Sequence, residues 1–338
     1  MNQVNNPVID LIKERYLSKS LPGKRNDNFK LGLAIEGGGM RGVVAASMAS
    51  ALFQLGLTDT FDAVYGSSAG ALIGTFFITK QMPLGPPIFY DDLNNPRFIN
   101  LSRLFVSNKN IMDLDFLIYD ILVNRKTMNW KGVIDSKIPL NIVVSSINQR
   151  KSIGYNNYKN KEELFTLLKA SANIPFVAGK PIEYNGDLLF DALLYESIPY
   201  KKAIEDGCTH ILTLLTRPLG KFRSSPSFIQ KNVIAPKMKN LKNGLDEDYL
   251  NGHIDYNKSV NFLLESNHNS TNKPFIYSIC PDKNEDEVKR LEKNRNKLIN
   301  GAISGMNSVM KTFGINERLK YFEILYPTND LGLVPNIK

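Results

Sequence analysis

Ser68 stands at the centre of Gly66-Ser67-Ser68-Ala69-Gly70, a G-x-S-x-G pattern. Phe61–Tyr65 before it is short, apolar and partly β-branched or aromatic, which suits a buried strand. Ala69–Ile78 after it is apolar and helix-like. Strand, sharp turn and helix together form the context in which a serine is held in strained backbone geometry with its hydroxyl exposed above a sheet. Gly66 and Gly70 fit such an elbow because a side chain would clash where strand and helix approach. The chemistry expected of Ser68 is nucleophilic attack on an acyl carbon. The amides that open the following helix favour the negative charge that develops there.

A second glycine-rich stretch, Glu36-Gly37-Gly38-Gly39-Met40-Arg41-Gly42, links the strand Lys30–Ile35 to a helix expected over Val43–Leu55. It supports two readings. Gly37, Gly39 and Gly42 match G-x-G-x-x-G, which can cradle a dinucleotide pyrophosphate. That reading calls for an acidic residue at the end of the next strand. Asp62 has the spacing but opens that strand. In the other reading, Gly37, Gly38, Gly39, Met40 and Arg41 form an oxyanion hole for Ser68, their backbone N–H groups converging unblocked by side chains. Arg41 then adds a positive charge or, more simply, makes a surface ion pair.

With GGGMRG at 37–42 and GSSAG at 66–70, the chain resembles the patatin-like phospholipase family. The resemblance implies a three-layer α/β/α fold with a mostly parallel central sheet flanked by helices. It implies a serine nucleophile, an oxyanion hole in the glycine loop, and an aspartate as the serine's partner. It extends over roughly residues 29–314. Ala170-Ser171, Pro175-Phe176 and Pro181 resemble the region ahead of the family's aspartate motif, which places that aspartate at Asp191. The family's next residue is glycine, whereas this chain has Ala192. If positive φ is needed there, alanine disfavours it and Asp191 is displaced. That departure motivates a different reading, a weak or inactive lipid-binding scaffold on the same fold. Asp191 could also serve only to cap the turn before Tyr200.

A Ser–His–Asp triad is the nearest chemical rival. The three histidines are His210, opening the expected strand His210–Thr216, and His253 and His268, in polar Asn-rich stretches. The order Ser68, Asp191, His is compatible with such a triad.

The elements that must position these groups fit a chain of 338 residues with 43% hydrophobic content, enough for a large α/β core. Residues 1–28 read as an N-terminal extension, with a short helix and a loose basic linker. Residues 29–216 read as the catalytic core and 217–338 as the C-terminal part of the same domain. Residues 81–110 are rich in Pro and Asn and read as loop. Ile111–Val123 reads as a helix covering the site or packing on the core, Asn141–Ile147 as a buried strand and Lys161–Ala172 as a helix. Asp187–Phe190 and Phe275–Cys280 read as strands, and Glu285–Lys311 as a long helix with one apolar stripe.

The net charge is +9, and Arg217–Lys242 is the most basic segment, with seven Lys or Arg, no acidic residue, and Phe222, Phe228, Ile229 and Val233 interleaved. It suits either peripheral contact with an anionic membrane or a solvated loop packed back onto the domain. No nucleic-acid motif accompanies the charge. Cys208 and Cys280 do not make a disulfide framework and read as small buried hydrophobes. No metal-ligand cluster or cofactor is expected, and the partner expected is a lipid substrate, a phospholipid or other acyl ester. The first residues lack a charged-then-apolar leader pattern, and the longest apolar run, Ala69–Ile78, is too short to span a bilayer. The expectation is a cytoplasmic protein, free or peripheral to a membrane.

Overall fold

The computed structural model describes residues 6–105, 109–268, 273–283 and 287–315. Its described strands form one sheet of eight. In chain order they are β1 (Leu31–Ile35), β2 (Ala63–Ser67), β3 (Leu140–Ser146), β4 (Lys151–Tyr155), β5 (Ile182–Tyr184), β6 (Asp187–Asp191), β7 (His210–Leu214) and β8 (Phe275–Ile279). The hydrogen-bonded path runs β5-β6-β3-β2-β1-β7-β8, with β4 also on β3. β3, β2, β1, β7 and β8 are mutually parallel, while β4, β6 and β5 are added antiparallel.

The two-residue period of the strands creates the layers. Leu31, Leu33 and Ile35 of β1, Val64 of β2 and Leu212 and Leu214 of β7 face one core. It is covered by α1 (Pro7–Leu17), α2 (Gly42–Gln54) and α3 (Ala69–Ile78) and by the C-terminal helix. Ala34, Ala63, Tyr65 and Ile211 face the other. There they meet a short helix, Tyr200–Glu205, and a long one, Leu245–His268. The result is the mostly parallel α/β/α sandwich that the family resemblance implies.

Several elements differ from expectation. Residues 18–28 are not loose: Arg15, 1% exposed, binds Asp27 and Asp62, and Arg25 binds Asp62 as well. The proline-rich stretch contains helical turns over Gly85–Pro87 and Ile88–Asp92, where proline fits the first helical positions. Leu245–His268 is a 24-residue helix that carries His253 and His268. Its few buried apolar residues, such as Tyr256, Val260 and Leu263, are too thinly spread to announce it. Residues 228–241 are helical, not loop. The last helix runs over Arg295–Thr312, its start set by Asn294, whose side chain accepts from Asn296 N and Lys297 N. Residues 287–294 before it form a strap across the glycine loop, and 284–286 lie outside the described residues.

Candidate active site

β3 brings the two halves of the site together. Its pairing with β2 ends at Ser67↔Val143, and its pairing with β6 begins at Asp191↔Val144. β4 occupies the opposite edge of β3 across these residues, so β2 and β6 lie end to end along the same edge. Ser68, one residue past β2, therefore meets Asp191, the last residue of β6. Ser68 Oγ donates to Asp191 Oδ2 at 2.7 Å. No histidine takes part. His210 lies at the opposite end of the sheet, opening β7 opposite Leu31 and packed against Phe29 and Phe275.

The elbow has the expected strain. Ser68 adopts φ 55°, ψ −124°, a conformation that costs a non-glycine residue on the order of 1–3 kcal/mol. Ser171 Oγ secures it, accepting from Ser68 N at 2.8 Å and donating to Val143 O at 2.6 Å. A Cβ on Gly66 would overlap Ala71, and one on Gly70 would overlap the Ile35 carbonyl. Ser68 is 7% and Asp191 1% exposed.

Each oxygen of Asp191 has its own task. Oδ2 accepts from Ser68, and Oδ1 accepts from Leu193 N at 2.7 Å, capping the turn Ala192–Leu194. Capping and pairing are thus simultaneous. Ala192 is buried and is not among the positive-φ residues, so alanine fits without strain where the family has glycine. Burial pushes the Asp191 carboxyl up to about 6, against the opposing pull of Leu193 N–H, the Ser68 hydroxyl, Arg290 and Arg223.

The glycine loop is placed beside Ser68, but fewer of its amides are available than the sequence suggests. Gly37 N donates to Ser197 O at 3.1 Å, Met40 N to Arg290 O at 2.9 Å and Arg41 N to Gly38 O at 3.2 Å. Among the described residues, the Gly38 and Gly39 amides have no such acceptor. Both glycines line the pocket that holds Ser68 and Asp191. Gly39 has φ +58°, and a Cβ there would stand 2.7 Å from Arg290 O. The expectation that Gly37, Met40 and Arg41 offer N–H groups is corrected: folding of the strap and loop uses them.

Arg41 is also not a surface residue. It is 6% exposed, donates from Nε to Thr216 Oγ1 at 3.1 Å and sits 3.6 Å from Glu287. Beneath it lies the fully buried Glu36, which accepts from Thr216 N, Thr216 Oγ1 and Tyr256 OH. Arg41 braces the loop from behind. The dinucleotide reading loses its acidic partner, because Asp62 lies at the far end of β2, bound to Arg15 and Arg25.

Two regions flank Ser68. On one side is an apolar cleft lined by Leu72, Ile73, Phe76, Phe89, Leu117 and Leu122, with Ser68 at its mouth. Leu117 and Leu122 belong to the wide-turned helix Phe116–Arg125, in the stretch expected either to cover the site or to pack on the core. On the other side stand Arg223 and Arg290. Sequence reasoning assigned neither to the site: Arg223 was one cation among seven, and nothing local marks Arg290. Among the described residues no cluster of His, Cys, Asp or Glu could hold a metal ion.

Ser68 thus stands on a strained strand–helix elbow, bonded directly to a buried carboxylate beside a glycine loop on a mostly parallel α/β/α sheet. The sequence model of the patatin-like phospholipase family matches residues 33–204, just over half of the chain. The chain belongs to that family, and it is a lipid acyl hydrolase by membership. No curated protein matches it.

Proposed function

We infer that this protein cleaves fatty-acyl ester bonds of membrane lipids through Ser68 and Asp191, via an acyl-enzyme. The observation that carries the reading is the 2.7 Å bond between a strained, buried serine and a carboxylate held near pKa 6. Ser68 Oγ attacks the ester carbonyl while its proton passes to Asp191 Oδ2. Asp191 is a stronger base than an exposed aspartate because burial disfavours its charge. The oxyanion is held by the Gly38 and Gly39 amides, each such donor contributing about 3–4 kcal/mol. Asp191 then gives the proton to the departing alcohol. Water, deprotonated by the same carboxylate, hydrolyses the acyl-serine. The apolar cleft takes the acyl chain. No step requires a metal or cofactor.

On this reading residues 29–216 carry the chemistry, and 217–338 complete the same domain by supplying the strap behind the loop. Among the described residues no helix is long and apolar enough to cross a membrane. Access to lipid comes from the basic segment. Phe228 (78% exposed), Ile229 (62%), Phe222 and Val233 stand out beside the exposed Lys231 and Lys237. Each apolar side chain buried in lipid contributes about 1.5–3 kcal/mol and each cation about 1 kcal/mol on an anionic surface.

Fluorophosphonate labelling tests the chemistry. Labelling of the wild type, its loss in Ser68→Ala and its reduction in Asp191→Asn are expected. Equal labelling of Ser68→Ala would remove Ser68 as the nucleophile.

A further inference from the structure

A second cavity of about 220 Å³ adjoins the Ser68 pocket. It is walled by residues 223–230, by the long helix Leu245–His268 and by the strap. Arg223 and Arg290 line both spaces and so stand at their boundary. Ser224, Gln230, Tyr249 and His253 add polar groups, and among the described residues no Asp or Glu lines this cavity.

The two arginines are held differently. Arg223 donates to Ser197 Oγ at 2.8 Å and lies 3.7 Å over the Tyr256 ring. Burial and the neighbouring Arg290 pull its guanidinium down to about 9. Arg290 is half-buried, and among the described residues its guanidinium has no ion pair or side-chain hydrogen bond. Asp191 is the carboxylate that feels both, but its oxygens are taken by Ser68 and Leu193.

Two adjacent, partly desolvated guanidinium groups that no carboxylate among the described residues bonds favour an anion whose oxygens can accept from their planar forks. In a glycerophospholipid the phosphate is only a few bonds from the acyl esters, the relation of these two adjoining spaces. A neutral acylglycerol brings no such anion. A choline or ethanolamine head would bring an ammonium group into a cavity with two cations and, among the described residues, no carboxylate. A phosphate that is bare, or that carries an uncharged polyol, brings only negative charge. Both arginines lie beyond residue 204, outside the segment matched by the family's sequence model.

We propose that Arg290 and Arg223 form a headgroup subsite for the phosphate of an anionic phospholipid, so that the enzyme selects lipids whose head carries no cation. The proposal rests on the reading of Ser68 as the nucleophile toward glycerolipid esters.

The test uses dihexanoyl phosphatidylglycerol and dihexanoyl phosphatidylcholine as monomers, so that docking on an interface does not enter. The wild type should favour the glycerol head in kcat/KM by on the order of tenfold or more, the scale of a hydrogen bond to a charged group. Arg290→Gln should bring the ratio toward one, mainly through KM, and Arg290→Lys should keep part of it. The substitution retains the backbone carbonyl that accepts from Met40 N, so the loop keeps its anchor. Hydrolysis with a ratio near one in the wild type, or a ratio that Arg290→Gln leaves intact, overturns the subsite and leaves the chemistry standing. Calorimetry on Ser68→Ala reads the subsite without turnover. Tighter binding of the glycerol head, lost on adding Arg290→Gln, supports it even if neither lipid is hydrolysed; equal binding of the two heads overturns it. Inorganic phosphate binding as tightly as the lipid would assign the cavity to a free anion and overturn the lipid assignment.

Discussion

The Ser68 hydroxyl donates to Asp191 Oδ2 at 2.7 Å across 123 positions of chain. Both residues are carried by strands that share one edge of β3, so sheet register fixes the contact.

Asp191→Asn keeps an oxygen for Leu193 N but removes the proposed base. With general-base catalysis contributing about 10²–10⁴-fold, kcat on a soluble ester should fall by that order. Steady-state kinetics check this, and a loss below about threefold would mean that the proton goes elsewhere.

The pH–rate profile should carry an acidic limb near 6, because Asp191 must be ionised to act and burial holds it at about 6. Activity rises as pH increases through that value and is lost below it. Asp191→Asn should abolish this limb.

Stability should respond with the opposite sign. The folded carboxyl binds its proton more readily than the unfolded one, so the Asp191 contribution falls as pH rises from the ordinary 3.8 to about 6. His210 acts oppositely: burial pulls it from 6.5 down to about 4, so its contribution is lost as pH falls through that window. Each shift corresponds to about 3 kcal/mol, and in the wild type the two largely offset. Asp191→Asn leaves the His210 effect alone, so its stability should climb more steeply than the wild type's between about pH 4 and 6.5. Urea denaturation across that range is the measurement, and parallel curves would contradict it.

Gly39→Ala should damage both fold and rate. The residue has φ +58°, and a Cβ would stand 2.7 Å from the strap carbonyl that anchors Met40 N. A destabilisation of about 1–3 kcal/mol is expected. A shifted Gly39 amide should also lower kcat by about 10²–10³-fold. A thermal melt and kcat measured on the same sample separate the two effects.

Phe228→Ser with Ile229→Ser should weaken binding to anionic vesicles tenfold or more, given about 1.5–3 kcal/mol for each buried apolar side chain. Hydrolysis of a monomeric ester should change far less. Vesicle sedimentation at low and high salt reads both the apolar and the charged parts of the contact.

The elbow was legible before folding because its requirements are local. Gly66, Ser68 and Gly70 answer to steric conflicts within a few residues or with the adjacent strand, and a short pattern records them. Six of the eight described strands were legible for the same reason, as compact apolar runs, whereas β4 and β5, short and only partly buried, were not. The long helix Leu245–His268 was not, because its burial rests on a few side chains meeting the sheet rather than on a dense apolar stripe.

The availability of the glycine-loop amides, by contrast, is a property of distant chain. Ser197 and Arg290 supply the carbonyls that engage Gly37 and Met40, and no spacing within residues 36–42 encodes this. The basicity of Asp191 comes from exclusion of water by the packed core, which no single residue carries. Arg290 reaches the site only because Asn294 stops the last helix short and leaves the strap free to cross the loop. Composition and local pattern settle what a backbone segment can adopt. Charge, solvation and long-range hydrogen bonding depend on neighbours that only the folded chain brings together.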